Sequence, residues 1–340
     1  MRNIFTLLAL LVFGTILSKN HAQTYSIYPT PQKVVETGEA IELTQQINVI
    51  CESGIGEVTR NRMKEVLEEA GYTIAFSTNP SQTNTNLYIG INGSDGAADR
   101  YAVENNLPFA VFDTGDNKFD PYLLQINDLH PHGDIVVLGN DKGSEFYAFA
   151  TLEQILEQTG GNSIRQITFE DYSHTQYRGI VEGFYGQPWS HADRIEQIRF
   201  YGRIKLNTYI YGPKDDPYHS SPNWRKPYPA EEAEHIKELA EEATHNKVNF
   251  VWAIHPGQDI QWNLTDSMNI LSKFEKMYDL GVRSFAVFFD DISGEGARPE
   301  KQAGLLNYIH KEFITKKNDV QPLIMCPTEY NRSWAKTDYL

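Results

Sequence analysis

Cysteine is scarce in this sequence of 340 residues: only Cys51 and Cys326 are present, and they lie far apart. Two distant cysteines cannot build the disulfide framework of a small secreted domain, and they do not have the spacing of a zinc motif. Each lies in an apolar, strand-like stretch, where cysteine is most often a small buried hydrophobic residue. The cysteine pattern therefore excludes a disulfide scaffold and indicates no metal site.

Basic residues are also few, since 30 Lys and Arg face 45 Asp and Glu and leave a formal net charge of −15. A chain this acidic does not attract phosphate backbones, so nucleic acid is not an expected partner. No basic amphipathic stretch suggests binding to a membrane surface. The phosphate-binding spacing G-x-G-x-x-G is missing as well, and the glycines of residues 139–143 are interpreted as a structural turn.

Long apolar runs are absent except near the N-terminus, where residues 4–17 follow a short basic start. This run of 14 residues is too short to span a bilayer comfortably. Polar residues and then Ala22 and Gln23 follow it, which is the pattern of a secretory signal peptide. We therefore predict a signal peptide at residues 1–22 and a secreted or periplasmic protein without a membrane span after cleavage. An uncleaved anchor is the alternative.

The rest of the chain has the composition of a globular protein, with 40% hydrophobic and 22% charged residues, and is long enough for two domains. Residues 23–172 mix strands and helices and are predicted to form a small N-terminal α/β domain. From residue 173 onward, strand-like runs alternate regularly with helical segments. The five runs lie at residues 178–185, 207–211, 248–254, 284–289 and 321–326.

Strand–helix alternation at this pitch indicates βα units around a parallel sheet. Residues 173–340 are therefore predicted to belong to a (β/α)8 TIM barrel, of which only about the first five βα units are present. A complete, doubly wound sheet of five strands is the alternative. The first helical segment opens with Ser190-His-Ala-Asp193, a variant of the capping box, which predicts a helix start at this point.

Two adjacent carboxylates, Asp290 and Asp291, follow the apolar run that begins at Ser284. A buried strand that stops at two acids is typical of a strand that delivers charge to the rim of a barrel, where the active sites of such barrels lie. Neighbouring carboxylates resist ionising together, which can produce one acid and one base. An isolated Asp-Asp pair can equally ligate Mg²⁺, cap a helix or face solvent.

Polar, aromatic and glycine residues follow all five strand-like runs, and five such ends in succession predict a functional site rather than five unrelated loops. The loop of residues 212–229 is rich in Pro, Tyr and Trp, which suits the apolar faces of sugar rings. A rigid surface loop held by Trp224 is an equally good interpretation. His255 could be a base or a metal ligand, although a lone histidine is more often a supporting hydrogen-bond partner.

Three motifs now indicate a family: Arg178-Gly-Ile-Val-Glu-Gly-Phe-Tyr-Gly186, Tyr209-Ile-Tyr-Gly-Pro-Lys-Asp-Asp-Pro217 and Phe288-Phe-Asp-Asp-Ile292. They resemble glycoside hydrolase family 84, the O-GlcNAcase-like β-N-acetylglucosaminidases, in their Bacteroidetes type. The resemblance covers about residues 24–340 and implies that the sequence ends within the catalytic barrel. It also implies a hexosaminidase-like first domain and a retaining enzyme without a cofactor or metal. In this family the 2-acetamido oxygen of the substrate is the nucleophile, and it forms an oxazoline intermediate.

The resemblance assigns roles by motif position. Asp290 would orient the acetamide N–H, and Asp291 would protonate the leaving oxygen and then activate water. Tyr330 would hydrogen-bond the acetamide oxygen. The remaining substrate-binding positions would hold sugar hydroxyls or wall the acetamide pocket: Gly183, Lys214, Tyr185 and Cys326. Later barrel strands of the family supply a Trp, Asn residues and an Asp that grip the ring, and this sequence lacks that region.

Other functions remain compatible with the same residues. Hyaluronidase-like cleavage of a GlcNAc-containing polysaccharide would use the same fold, and a non-catalytic sugar-binding protein would use the same aromatic rim. A lectin has no need of a general acid, so the intact Asp pair argues against the second. A metal-dependent barrel enzyme is a third alternative. The expected partner is a GlcNAc-containing glycan or glycoprotein, and the sequence specifies neither the aglycone nor an oligomeric state.

Overall fold

The computed structural model describes residues 25–113, 117–214, 216–336 and 339. The predicted signal peptide, residues 1–22, lies outside the described residues. The strands are β1 (Lys33–Glu42), β2 (Gln46–Cys51), β3 (Thr73–Phe76), β4 (Thr85–Ile91), β5 (Phe119–Asn127), β6 (Asp134–Gly139), β7 (Ser163–Ser173), β8 (Gly179–Glu182), β9 (Thr208–Tyr211), β10 (Asn249–Ile254), β11 (Ser284–Phe288) and β12 (Ile324–Cys326). The helices are α1 (Glu57–Glu69), α2 (Ala97–Glu104), α3 (Glu145–Glu157), α4 (His191–Arg203), α5 (Ala230–His245), α6 (Leu264–Asp279) and α7 (Pro299–Glu312).

The first sheet has seven strands in the order β1-β7-β5-β6-β4-β2-β3. Strands β3, β2, β4 and β6 run parallel, whereas β5, β7 and β1 add an antiparallel half. Every residue of β6 is buried, as a strand covered on both faces requires. Helix α3 is apolar around most of its circumference, because it is enclosed by this sheet, by α1 and by α4 of the second unit.

The second sheet has five strands in the order β12-β11-β10-β9-β8, and every neighbouring pair is parallel. The order follows the sequence without a reversal, as a barrel requires, whereas a doubly wound sheet reverses direction at a switch point. The sheet is curled into a half-barrel, so the prediction of a partial TIM barrel is confirmed and the doubly wound alternative is wrong.

The two faces of the half-barrel differ as the alternation of its strands predicts. Large residues such as Trp252 and Phe285 point outward into the helix layer, where they are buried. Small residues such as Ala253 and Ala286 form a separate cluster on the inner face. The carboxyl ends of all five strands consequently meet at one rim.

Sequence signals predicted the start of α4 correctly and the start of the last strand too early. Ser190 Oγ accepts from the Asp193 N–H and the Asp193 carboxylate accepts from the Ser190 N–H, so the capping box before α4 is confirmed. The last strand was predicted from residue 321 but begins at Ile324. Pro322 lacks the N–H that a sheet ladder needs, which explains the later start.

A buried polar cluster joins the two sheets. Lys205, just after α4, places its Nζ 2.8 Å from both the Tyr122 hydroxyl and the Asp171 carboxylate of the first sheet. Burial lowers the pKa of this lysine, and the Asp171 charge partly offsets the effect. Arg178, before β8, pairs with Asp120 at 2.8 Å. Because a buried charge is costly without its partner, these pairs specify how the half-barrel sits on the first sheet.

No helix within the described part of the chain is both long and apolar enough to cross a membrane.

Candidate active site

Asp290 and Asp291 lie at the rim, where β11 gives way to a turn. Adjacent residues on a regular strand face opposite sides of the sheet. Asp291 leaves strand geometry with φ = 54°, a left-handed conformation that aspartate tolerates better than most residues. The turn is held from the neighbouring strand, since the Phe289 N–H donates to the Cys326 carbonyl and its own carbonyl accepts from the Thr328 hydroxyl. The backbone therefore allows both carboxylates to serve the same rim.

Asp290 is the more enclosed of the two acids. Its Oδ2 lies 2.6 Å from Lys214 Nζ, and only 18% and 17% of the respective side chains are exposed. The His255 Nε2–H donates to the backbone carbonyl of Asp290 at 2.8 Å, which identifies the protonated ring nitrogen. The other carboxylate oxygen, Oδ1, is buried and has no hydrogen-bond partner among the described residues. A buried acceptor left unpaired costs roughly 1–3 kcal/mol, and His255 Nε2 lies 3.6 Å from Oδ1, beyond hydrogen-bond distance.

Asp291 is exposed and interacts with a different loop. The Tyr185 hydroxyl donates to its Oδ2 at 3.0 Å, and this bond is the main cause that raises the pKa of the phenol. Lys214 Nζ in turn lies 5.6 Å from the centroid of the Tyr185 ring. Tyr185, Lys214 and the two acids thus form one contact network from three separate strand ends.

Of the other predicted site residues, Cys326 joins this network and Tyr330 does not. Cys326 ends β12 beside Phe288, and burial raises the pKa of its thiol to about 11, with the Asp290 charge adding to the effect. The thiol is therefore neutral and is not activated as a nucleophile. Tyr330 is exposed and packs edge-on against Trp334, with ring centroids 5.0 Å apart. Within the described residues it makes no hydrogen bond to either acid.

Gly183 follows β8 on the inner side of the half-barrel. A methyl group added there would approach the Val181 side chain to 3.3 Å. Because glycine has no side chain, the backbone at this position stays uncovered. Placement of Gly183 at the rim agrees with its predicted contact through a carbonyl, and that contact remains a prediction.

Sequence reasoning missed two residues, Asp216 and His219, whose hydrogen bonds hold the loop that carries Lys214. Asp216 accepts hydrogen bonds from the hydroxyls of Tyr211 and Tyr228, at 2.9 and 2.7 Å, and from backbone N–H groups of its own loop. His219 is fully buried, which lowers its pKa to about 4 and keeps the ring neutral. Its Nδ1–H donates to the Ala253 carbonyl at 2.8 Å. Asp216 lies within the motif of residues 209–217 and His219 within the loop of residues 212–229, but neither was assigned a role.

The aromatic loop after β9 is rigid for the reason that Trp224 suggested. The Trp224 ring is fully buried, and its Nε1–H donates to Asp259 at 2.6 Å. Arg225 adds ion pairs to Asp259 and Asp266, at 2.9 and 2.6 Å. Among the described residues, no group of three or more His, Cys, Asp and Glu side chains is arranged to hold a metal ion.

Comparison with known proteins agrees with this geometry. A family model described as beta-N-acetylglucosaminidase matches residues 178–340, and one described as glycosyl hydrolase family 20, domain 2, matches residues 24–172. The solved structure of CpGH84D aligns with a TM-score of 0.78 and 37% identity, over 88% of this chain and 50% of that chain. This chain belongs to glycoside hydrolase family 84. The resemblance drawn from its motifs is confirmed.

Other members of family 84 show a similar relationship. The solved structure of CpGH84B has a TM-score of 0.75 and 34% identity, over 92% of this chain and 53% of that chain. The proteins named Protein O-GlcNAcase of Rattus norvegicus and of Mus musculus are each 36% identical over 159 residues, or 45% of this chain. This family 84 chain spans about half the length of the two solved structures, 50% and 53%, and 17% of the length of the mammalian relatives.

Proposed function

We propose that the protein is a retaining exo-β-N-acetylglucosaminidase that removes β-linked GlcNAc from glycans or glycoproteins by substrate-assisted catalysis. The single observation that carries the proposal is the pair at the rim. Asp290 presents a buried, unpartnered Oδ1, and its neighbour Asp291 is exposed. An amide N–H of the substrate would complete the hydrogen bonding of Asp290. Family membership supports the same reaction class.

In the first step, Asp290 Oδ1 accepts a hydrogen bond from the acetamide N–H. This bond turns the acetamide oxygen toward the anomeric carbon. That oxygen forms a bond to C1 while the glycosidic bond breaks, and Asp291 gives its proton to the departing oxygen. Intramolecular attack has a high effective molarity, so the protein needs only to position the acetamide and transfer protons. Lys214 holds Asp290 in its orientation through the 2.6 Å ion pair.

In the second step, Asp291 removes a proton from a water molecule that attacks C1 of the oxazoline. The C1–oxygen bond of the ring breaks, its electrons return to the acetamide, and the product keeps the original β configuration. The Lys214 ammonium and the Gly183 carbonyl hold sugar hydroxyls, and Tyr330 hydrogen-bonds the acetamide oxygen. The neutral thiol of Cys326 and the ring of Tyr185 wall the acetamide pocket.

Substrates with successively fluorinated acetyl groups test the nucleophile. Fluorine withdraws electrons from the acetamide oxygen, so kcat/KM of the full-length protein on aryl glycosides is expected to fall at each step from acetyl to trifluoroacetyl. The slope is read from a plot of log kcat/KM against the inductive constant of the substituent. A flat series would mean that an enzyme side chain is the nucleophile, and the substrate-assisted mechanism would then be rejected.

Replacing Tyr185 with phenylalanine removes the 3.0 Å hydrogen bond to Asp291 but keeps the ring beside Lys214. An exposed hydrogen bond contributes about 0.5–1.5 kcal/mol, so kcat/KM is expected to fall roughly three- to tenfold. Tyr177→Phe changes an exposed tyrosine near the opposite ends of the strands and serves as the matched control. An unchanged rate in Tyr185→Phe would remove Tyr185 from the proposed site.

A further inference from the structure

A cavity of about 280 Å³ opens on the outer side of the half-barrel between the N-terminal halves of α4 and α5. We call it the α4–α5 pocket and define it by Trp189 and His191 on one side, Pro213 and Tyr218 on another, and His235 of α5. Pro213 and Tyr218 belong to the loop of residues 212–229 that was predicted to suit sugar rings, whereas His191 and His235 were not predicted as site residues. The pocket lies behind the two loops that carry Tyr185 and Lys214, outside the network around Asp290.

Arg194 and Asp216, two charged residues that line the α4–α5 pocket, already have partners. Arg194 donates from Nε and Nη2 to the buried Glu182 carboxylate at 2.9 and 2.8 Å. Asp216 accepts hydrogen bonds from two tyrosine hydroxyls and from two backbone N–H groups. Glu232 is exposed to solvent at the edge. An anionic ligand would find no free positive charge inside, and a cation would meet the free carboxylate of Glu232 only at the solvent-exposed edge, so the lining favours a neutral occupant.

The same lining combines flat apolar surfaces with a free polar atom. The rings of His191 and His235 stack with centroids 4.2 Å apart and planes at 15°, and Trp189 and the prolines supply further apolar surface. His191 Nε2 lies 2.7 Å from the Glu238 carboxylate, to which it donates. Its Nδ1 has no partner among the described residues and is shielded from solvent, so a ligand hydroxyl reaches it when the neighbouring side chains shift. With the proton on Nε2, Nδ1 is an acceptor for a hydroxyl donor.

We propose that the α4–α5 pocket binds a single neutral pyranose ring as a second sugar site, separate from the one at Asp290. A pyranose offers an apolar face for Trp189 and the prolines and a hydroxyl for His191 Nδ1. The cavity volume of about 280 Å³ is close to the lower end of the usual range of ligand pockets, about 300–1,000 Å³. A cavity of this size suits one sugar ring rather than a longer chain. The ring is either a free monosaccharide or the terminal unit of a glycan.

Titration of the full-length protein with methyl β-glucoside, followed by saturation-transfer NMR, tests the proposal. This probe has no acetamide for Asp290 to hold, and Lys214→Ala as background removes the ammonium proposed to hold sugar hydroxyls at the first site, so the outcome does not depend on the proposed hydrolase activity. A Kd in the millimolar range is expected, as is usual for one sugar ring. Comparison with cellotriose identifies the source: equal affinity indicates a free monosaccharide, and tighter binding indicates a glycan terminus.

The decisive variant is His191→Phe, which keeps the stacked ring but removes the acceptor. It is expected to weaken methyl β-glucoside binding about three- to tenfold, because one hydrogen bond is lost. His245→Phe, an exposed histidine at the far end of α5, is the control and should bind normally. If His191→Phe does not fold, His235→Ala removes the partner ring and tests the same pocket. Absence of binding to the parent, or equal binding by both histidine variants, would overturn the proposal.

Discussion

Replacing Asp291 with asparagine in the full-length protein is expected to slow hydrolysis of an aryl β-N-acetylglucosaminide about 10²–10⁴-fold, the range that a positioned general acid contributes. Asparagine has nearly the same shape and still accepts a hydrogen bond from Tyr185, so folding should be unaffected. It cannot give a proton to the departing oxygen or take one from water. Steady-state kcat/KM, with a thermal melt of each variant, measures the effect.

The leaving group provides an internal check on the role of Asp291. A dinitrophenyl group departs without protonation, so its release in a single turnover should be slowed far less than release of a poor leaving group such as methylumbelliferone. Asp279→Asn, an exposed aspartate at the end of α6, is the matched control. If Asp291→Asn hydrolyses both substrates at the parental rate, Asp291 is not the acid and the proposed reaction has no proton donor.

Replacing Glu145 with glutamine is expected to stabilise the protein at pH 8 by about 3 kcal/mol. Glu145 opens α3, has no exposed surface, and neither of its carboxylate oxygens has a hydrogen-bond partner among the described residues. Burial raises its pKa from 4.5 to about 7. Because one pKa unit corresponds to about 1.4 kcal/mol, ionising this group in the folded protein has a cost of that order. Glutamine has a similar shape and never ionises.

The sign of the pH dependence follows from the raised pKa. Below about pH 4.5 the carboxyl is protonated in both the folded and unfolded states, and it contributes no penalty. Between the unfolded value of 4.5 and the folded value of about 7 the penalty grows, and above this range it is fully present. Urea unfolding at pH 5 and pH 8 should therefore show a Glu145→Gln gain that is small at pH 5 and large at pH 8.

Glu57→Gln is the control for this experiment, because Glu57 occupies the first turn of α1 and is exposed. Its substitution should change the free energy of unfolding little at either pH. An equal gain for Glu145→Gln at both pH values would show that the carboxyl has the same pKa in the folded and unfolded protein, and the argument from a raised pKa would be wrong.

Strand order and the rim position of the Asp pair could be predicted from the sequence because both depend on local periodicity. An apolar run that stops at Asp290 places an acid at a strand end whatever the rest of the chain does. Sequential βα units admit few topologies, and the curled parallel sheet is one of them. The capping box at Ser190 is equally local, since donor and acceptor lie three residues apart.

Contacts between distant residues could not be predicted in this way. Lys214 and Asp290 are 76 residues apart, and their ion pair depends on how two loops are held. The loop of Lys214 is held by Asp216, whose tyrosine partners lie on β9 and just before α5. No periodic pattern encodes these contacts, because they follow from the packing of side chains at the rim. The α4–α5 pocket depends on the same packing: the aromatic loop of residues 212–229 could be noticed in the sequence, but its contact with the histidines of α4 and α5 could not.

The unpaired Oδ1 of Asp290 has a consequence for which sugars the protein can tolerate. An ester analogue of similar shape fits the same space but brings no donor, so Oδ1, which is shielded from water already in the free protein, would stay unpaired beside it. A site built to pair such an atom can reject the analogue that lacks the donor by about 10⁴-fold without any steric clash. Selectivity at this rim would then depend on the hydrogen-bond donor that the sugar carries at C2.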